Sequence, residues 1–452
     1  MSASYLDIAS RFACEAQLED LSPEARERGL WILMDSVPVI AAGMQAKEMQ
    51  QLVHRQLADA APGSAWVLGT QRRCNPFDAA LLNGTAGTWL ELDEGNLYAK
   101  GHPGIQVVPA ALAVAQSREV TGAELLLAVT LGYEICARIS QASDVRLAVH
   151  PHGTYGVIGA AIAAGRLHGL EPAQMRELIN VSATLGLATS RNSLLEGATV
   201  RNLYTGHSGY MGQMALRLVQ CGFTGERDAP ASIYGAVLAD KFDADTVVRG
   251  LGDEWLIARN YFKLHCTGRY VHSAIDALQD ALGSAPAGER IDSARIARID
   301  VRAYKLAAML SGQQVTTSFG ARFSVPFALA TILVHGASTL EGFEQAAVDN
   351  PAVQSLAARV HVQEDAGHTA AFPAVQRCDL VITMEDGNVL RGHCEITKGE
   401  PGNPHTVEQW RGKFFALGDA VWGHATTERL YDAFQGLAQA RNVRSLFAPF
   451  EL

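Results

Sequence analysis

Gly153-Thr-Tyr-Gly156-Val-Ile-Gly159-Ala-Ala161 repeats glycine every third residue within an otherwise mostly apolar run. Side chains this small let helix backbones approach closely, so the stretch is expected to form a helix buried in the middle of a bundle. The sequence on either side agrees. Residues 105–117, 122–140, 171–186 and 206–221 carry apolar positions at helical spacing. Towards the N-terminus, Ser22-Pro23-Glu24-Ala25 places a capping hydroxyl ahead of a proline, and Trp31, Ile32, Met34 and Val37 follow as one apolar face. Asn75-Pro76-Phe77-Asp78 starts a second helix in the same way and leads into residues 79–92. The first 265 residues read as helix after helix.

The pattern changes after residue 290. Ala294-Arg-Ile-Ala-Arg-Ile-Asp-Val-Arg302 alternates apolar and polar residues with period two, as a half-buried strand does, and residues 359–364 repeat the signal. Residues 379–384 and 389–396 flank Asp386-Gly387, a hairpin turn pair. Between these strands, 325–336 and 339–348 have helical spacing, and helix returns from Val407 to the C-terminus. The expected fold is mainly α. A large all-helical domain over 1–266, completed by 400–452, carries a smaller α+β lid over 267–399.

Composition narrows the function. A chain of 452 residues with 48% hydrophobic and 19% charged residues can bury a large core. A net charge of −10 argues against nucleic acid and against a polybasic membrane contact. No apolar run approaches the roughly 20 residues that span a bilayer, and the N-terminus lacks the basic-then-apolar order of a signal peptide. Seven scattered cysteines without a C-x-x-C pair fit reduced thiols in a cytoplasm.

Several motifs fail on inspection. The Gly153–Gly159 run lacks the strand and G-x-G start of a dinucleotide site. Gly206-His-Ser-Gly-Tyr210 has tyrosine where a nucleophile elbow needs its second glycine. His150-Pro-His152 has no carboxylate or cysteine at ligand spacing, so no metal site is expected.

Four segments carry possible chemistry. Glu91-Leu-Asp93-Glu94 puts three carboxylates at a helix end, where the dipole disfavours them, ahead of His102 on a Gly/Pro loop. An acid beside a histidine is the pairing that orients an imidazole for proton transfer. His150 precedes the small-residue helix, where the dipole lowers an imidazole's pKa and suits it to act as a neutral base. Residues 197–208, with Arg201 and Tyr204, and residues 263–272, with Lys263, Arg269 and His272, place cations beside glycines and helix starts, a means of holding carboxylates.

In order and spacing these segments resemble the MmgE/PrpD family. So do Asn83-Gly84, His102-Pro-Gly with Val107-Val-Pro-Ala-Ala-Leu-Ala, Gly222-Phe-Thr-Gly225, His272-x-x-Ile-Asp276-Ala and Phe323-Ser-Val-Pro-Phe327. The resemblance covers nearly the whole chain. It implies a helical domain with an α+β lid, an active site between them, a homodimer, and no metal or organic cofactor. It also implies turnover of a small anionic polycarboxylate, as by 2-methylcitrate dehydratase, cis-aconitate decarboxylase or iminodisuccinate epimerase. The family's site positions fall on the Glu91–Asp93 stretch, His102, His150 and Lys263. This chain departs from the family at Arg201, where lysine is common, and at Gly268, where a further polar residue is common.

The expected reaction is proton removal from carbon next to a carboxylate, most simply as a dehydratase and alternatively as an epimerase. A carboxylate-binding protein without catalysis is the reading from another class. His150 is the expected base, and His102, oriented by Asp93 or Glu91, the acid. Lys263, Arg201 and Arg269 are expected to stabilise the dianionic intermediate, with Glu91 and Tyr204 also contacting substrate.

Overall fold

The computed structural model describes residues 4–283 and 291–450. Helix Gly156–Leu167 lies at the centre of the larger domain, with every residue from Gly156 to Gly165 buried. Helices Pro103–Ser117, Gly122–Ala142 and Leu203–Gln220 pack around it. The glycines allow this: a Cβ on Gly159 would sit 2.7 Å from Cys136 Sγ, and one on Gly212 would sit 2.6 Å from the Ala160 Cβ. Local signals set the helix starts. Ser22 Oγ accepts from the Ala25 N–H at 3.1 Å, and Asn75 Oδ1 accepts from Phe77 and Asp78 at 3.0 Å each, satisfying donors that a helix leaves unpaired.

Two expectations need correction in this half. Two short antiparallel strand pairs interrupt the helices: Ala65–Val67 with Arg72–Cys74, and Ser143–Val145 with Ala239–Phe242. Strands of three or four residues are too short to show a period of two. The helix expected through residue 92 instead ends at Gly87, so the carboxylates lie on a loop beyond it.

The C-terminal strands form one four-stranded sheet. Ile296–Ala303 pairs parallel with Val360–Glu364 and antiparallel with Cys378–Met384, which forms a hairpin with Val389–Cys394. Helix His272–Gly283 packs across the hairpin. Helix Val325–His335 forms as expected, whereas 339–348 forms only the short turns Glu341–Phe343 and Gln345–Val348. The last helices, Val407–Trp422 and His424–Gln435, return to the first domain, against Pro23–Gly43. The fold is mainly α with an α+β portion. No single helix among the described residues is long and apolar enough to cross a membrane.

Buried apolar side chains fall into two clusters. One joins residues 6–262 to 410–447; the other is built from 266–394. Val39, Leu92 and Leu417 belong to the second cluster although their backbones lie in the first domain. Leu92 separates Glu91 from Asp93, so anchoring it in the second core fixes both carboxylates at the junction.

Candidate active site

Residues 88–102 form a buried irregular loop, which needs a partner for each backbone polar group. Asn96 supplies several: its Oδ1 accepts from the Tyr98 and Ala99 amides at 3.0 Å, and its Nδ2 donates to the Leu256 carbonyl at 2.8 Å. Lys413 Nζ, from the C-terminal helices, donates to the Leu92 carbonyl at 2.7 Å and to Asp35 at 2.6 Å. Glu91 lies in the left-handed region at φ 53°, which costs a non-glycine residue about 1–2 kcal/mol. That turn directs its carboxylate to two cations. Arg201 Nη1 donates to Oε1, and Lys263 Nζ lies 3.6 Å from Oε2.

The loop ends at His102, whose Nδ1 lies 2.7 Å from the Glu94 carbonyl and 2.7 Å from Asp93 Oδ2. Both neighbours can only accept, so Nδ1 carries the hydrogen and a neutral ring has its lone pair on Nε2. Burial alone would raise the Asp93 carboxyl, but His102 and Lys263 outweigh it and hold Asp93 well below the usual carboxylate range. Glu94 behaves oppositely. It caps helix Pro103–Ser117 by accepting from Gly104 at 2.7 Å, and burial pushes its carboxyl up to about 8.

Across the site, His150 Nε2 lies 3.3 Å from Arg201 Nε and Nδ1 lies 3.1 Å from the His152 amide; a neutral ring has one lone pair and accepts from only one of these two donors. Burial, then Arg201, Arg191 and His102, push His150 well below its ordinary pKa. The ring of His152 lies between the other two, edge to face, with centroids 4.9 Å from His102 and 4.8 Å from His150. These groups line a narrow cavity of about 50 Å³, closed on the C-terminal side by Gly268 and Phe323. Phe323 lies over the Arg201 guanidinium, 5.5 Å from its carbon. A Cβ at position 268 would meet Phe323 at 2.8 Å, so glycine suits this loop and a larger residue requires the ring to move. A groove of about 980 Å³ near Arg118, Arg166 and His168 is far larger but gathers none of these acid–base pairs.

The sequence-derived site residues separate by position. Glu91, His102, His150, Arg201 and Arg269 line the cavity. Asp93 and Lys263 are buried behind it, with Lys263 Nζ 3.3 Å from Asp93 and 3.6 Å from Glu91. Tyr204 packs edge-on against His150 at 5.6 Å and is not a lining residue. Arg269 is a correction. Its N–H groups go to Glu400, the Lys398 and Thr397 carbonyls and His272 Nδ1, leaving none for a substrate carboxylate. Glu91 lines the cavity while its carboxylate bridges the Arg201 and Lys263 cations. Both His150 nitrogens face donors, whereas the His102 ring is held through Nδ1 and lines the cavity.

Sequence reasoning did not select His152, Arg191, Tyr261 or Tyr270, all cavity-lining. In the sequence His152 reads only as a candidate metal ligand, and its place two residues after His150 is the available signal. Among the described residues, no group of three or more His, Cys, Asp or Glu converges to hold a metal.

An MmgE/PrpD N-terminal domain model matches residues 7–243, and the corresponding C-terminal domain model matches residues 265–439. The chain belongs to the MmgE/PrpD family. Known relatives include a cis-aconitate decarboxylase of Aspergillus terreus, 22% identical over 462 residues, covering 96% of this chain and 93% of its own. A cis-aconitate decarboxylase-like protein of Aspergillus oryzae is 25% identical over 470 residues, covering 96% and 94%. The Mus musculus cis-aconitate decarboxylase is 24% identical over 384 residues, covering 81% and 76%. As a family member with these relatives, the chain is a carboxylate-processing enzyme. The boundary between the two family domains, 243–265, runs through the segment that delivers Lys263 to the acidic loop.

Proposed function

We propose that this enzyme is a lyase acting on a small di- or tricarboxylate, moving a proton at the carbon next to a carboxylate. The observation that carries the proposal is His102. Its Nδ1 is held by Asp93 and the Glu94 carbonyl, which leaves the lone pair on Nε2, and its ring lines the same cavity as the Arg201 cation. A base fixed in tautomer and orientation is what proton abstraction needs, and a buried cation stabilises the charge that develops on the carboxylate.

One base suffices for a hydro-lyase in which the proton taken from carbon is passed to a hydroxyl leaving from the same face. An epimerase must deliver a proton to the opposite face, and His150, the second histidine considered for such work, is held neutral by burial and Arg201. Dehydration is therefore preferred over epimerisation. Decarboxylation is the second reading, favoured by the names of the relatives that align along 96% of the chain. It uses His102 in reverse, with the imidazolium protonating carbon as carbon dioxide leaves.

The test is to incubate the enzyme in deuterated water with a panel of hydroxy- and unsaturated di- and tricarboxylates and to follow products by NMR. Loss of water with deuterium at the α-carbon of the remaining acid supports the hydro-lyase. Carbon dioxide release from cis-aconitate supports the second reading. Binding with neither turnover nor exchange across the panel identifies a carboxylate binder and overturns the proposal.

A further inference from the structure

His152 has no role in the mechanism above, yet it occupies the middle of the site. Its ring is 1% exposed and sits between His102 and His150. Nδ1 is buried without a hydrogen-bond partner, although the same residue's amide is used on His150. Such a buried ring atom is costly unless something else meets it. The residue lines the cavity, so a ligand there is the available partner. The other two rings are committed: His102 is backed by Asp93, and His150 is held by Arg201.

We propose that His152 is a catalytic residue that stays neutral and donates one N–H to the substrate carboxylate oxygen that gains charge as the α-proton leaves. The groups facing it are Arg201, His150, His102 and Lys263. Burial first, then these four, hold its pKa well below the ordinary value. Helix Gly156–Leu167 begins four residues later and adds its positive end. An imidazole in this setting cannot become a cation near neutral pH, so it does not act as an acid in the ordinary sense. It can still stabilise an enediolate, since a neutral imidazole N–H acts as an electrophile when its pKa is suppressed in this way.

The step balances. The C–H bond breaks, its electron pair becomes the carbon–carbon double bond of the enediolate, and the negative charge moves to the carboxylate oxygen. The proton goes to His102 Nε2, while the His152 hydrogen stays on nitrogen throughout. The inference rests on the α-proton chemistry proposed above.

Two variants test it. His152→Phe keeps a flat ring between the neighbouring histidines but has no N–H; His152→Gln restores a neutral donor. Both are assayed for turnover and for deuterium exchange at the α-carbon with whichever acid of the panel the wild type turns over or exchanges. Loss of one preorganised donor costs about 10²–10³-fold in kcat, so His152→Phe should fall by at least 100-fold with little change in KM. His152→Gln should recover at least tenfold of that loss. Both limbs of the pH–rate profile should stay where they are, because His152 does not titrate. Full activity in His152→Phe, or a limb that vanishes with His152, overturns the inference while wild-type exchange leaves the reaction class standing. Absence of exchange and turnover in the wild type across the whole panel of di- and tricarboxylates overturns the reaction class and this inference together.

Discussion

Two histidine-bearing turns form the site, and they treat the same side chain in opposite ways. At His102, Nδ1 meets only acceptors, the Asp93 carboxylate and the Glu94 carbonyl. At His150, both ring nitrogens meet donors, the Arg201 guanidinium and the His152 amide. Acceptors fix a hydrogen on the ring and stabilise the imidazolium that forms when the far nitrogen takes a proton. A neutral ring has one lone pair, so it accepts from one of the two donors, and both oppose protonation. Two imidazoles at similar depth are therefore suited to different work: one transfers protons, and the other orients an arginine.

The strongest test of this contrast removes each imidazole in turn. His102→Ala should lower kcat by about 10³-fold, within the usual span for a general base, and His102→Gln should not restore it because an amide does not take up a proton. His150→Ala should also be costly, but His150→Gln should recover much of the loss, since its amide oxygen can accept from Arg201. Equal behaviour of the two glutamine variants in steady-state kinetics would erase the distinction.

Asp93→Asn should come next, with kcat reduced by about 10²-fold. An amide can offer Nδ1 a donor and turn the ring to the wrong tautomer, without emptying the space. Circular dichroism should show an unchanged fold, and kcat should fall more than KM rises. Arg201→Lys should be milder, about tenfold in kcat, roughly 1.4 kcal/mol of transition-state stabilisation. A lysine cannot reach Glu91 and His150 together as the planar fork does. Unchanged kcat would mean that the departure from the family's lysine is neutral.

The smallest effect concerns stability. Burial raises the Glu94 carboxyl to about 8 from its ordinary value of 4.5. A carboxyl with a raised folded-state pKa contributes stability that is complete below its unfolded value and lost as pH rises through the folded one. Wild-type Tm should therefore fall between about pH 4.5 and 8 through this group. Glu94→Gln, neutral throughout, should flatten that slope and melt higher than wild type at pH 9. Parallel Tm curves for the two proteins would show that Glu94 is ionised already.

Much of the fold was legible because its signals are local. The Ser22 and Asn75 caps, the small-residue helix and the Asp386-Gly387 hairpin each depend on residues within a few positions of one another. The error at residues 79–92 shows where that fails. The apolar spacing continues through Leu90 and Leu92, but Leu92 is held in the second core and Lys413 takes its carbonyl, so packing from distant segments ends the helix at Gly87.

By itself the sequence determined the helical bundle, the strand-bearing C-terminal portion, the family, and the residue types that meet at the site. Periods of 3.6 and 2 residues, and the order of segments along the chain, are properties of one dimension. Only the tertiary structure decided which of those residues face substrate. Arg201 and Glu91 are 110 positions apart, Lys263 and Asp93 are 170, and Arg269 and Glu400 are 131. A cation's partner, and hence whether it is free to bind an anion, depends on which groups the fold brings within hydrogen-bond reach. That is why Arg269 and Lys263 look alike in sequence as carboxylate binders, yet one locks Glu400 and the other holds the acidic loop. For the same reason, which histidine nitrogen is open is settled by the atoms placed around each ring.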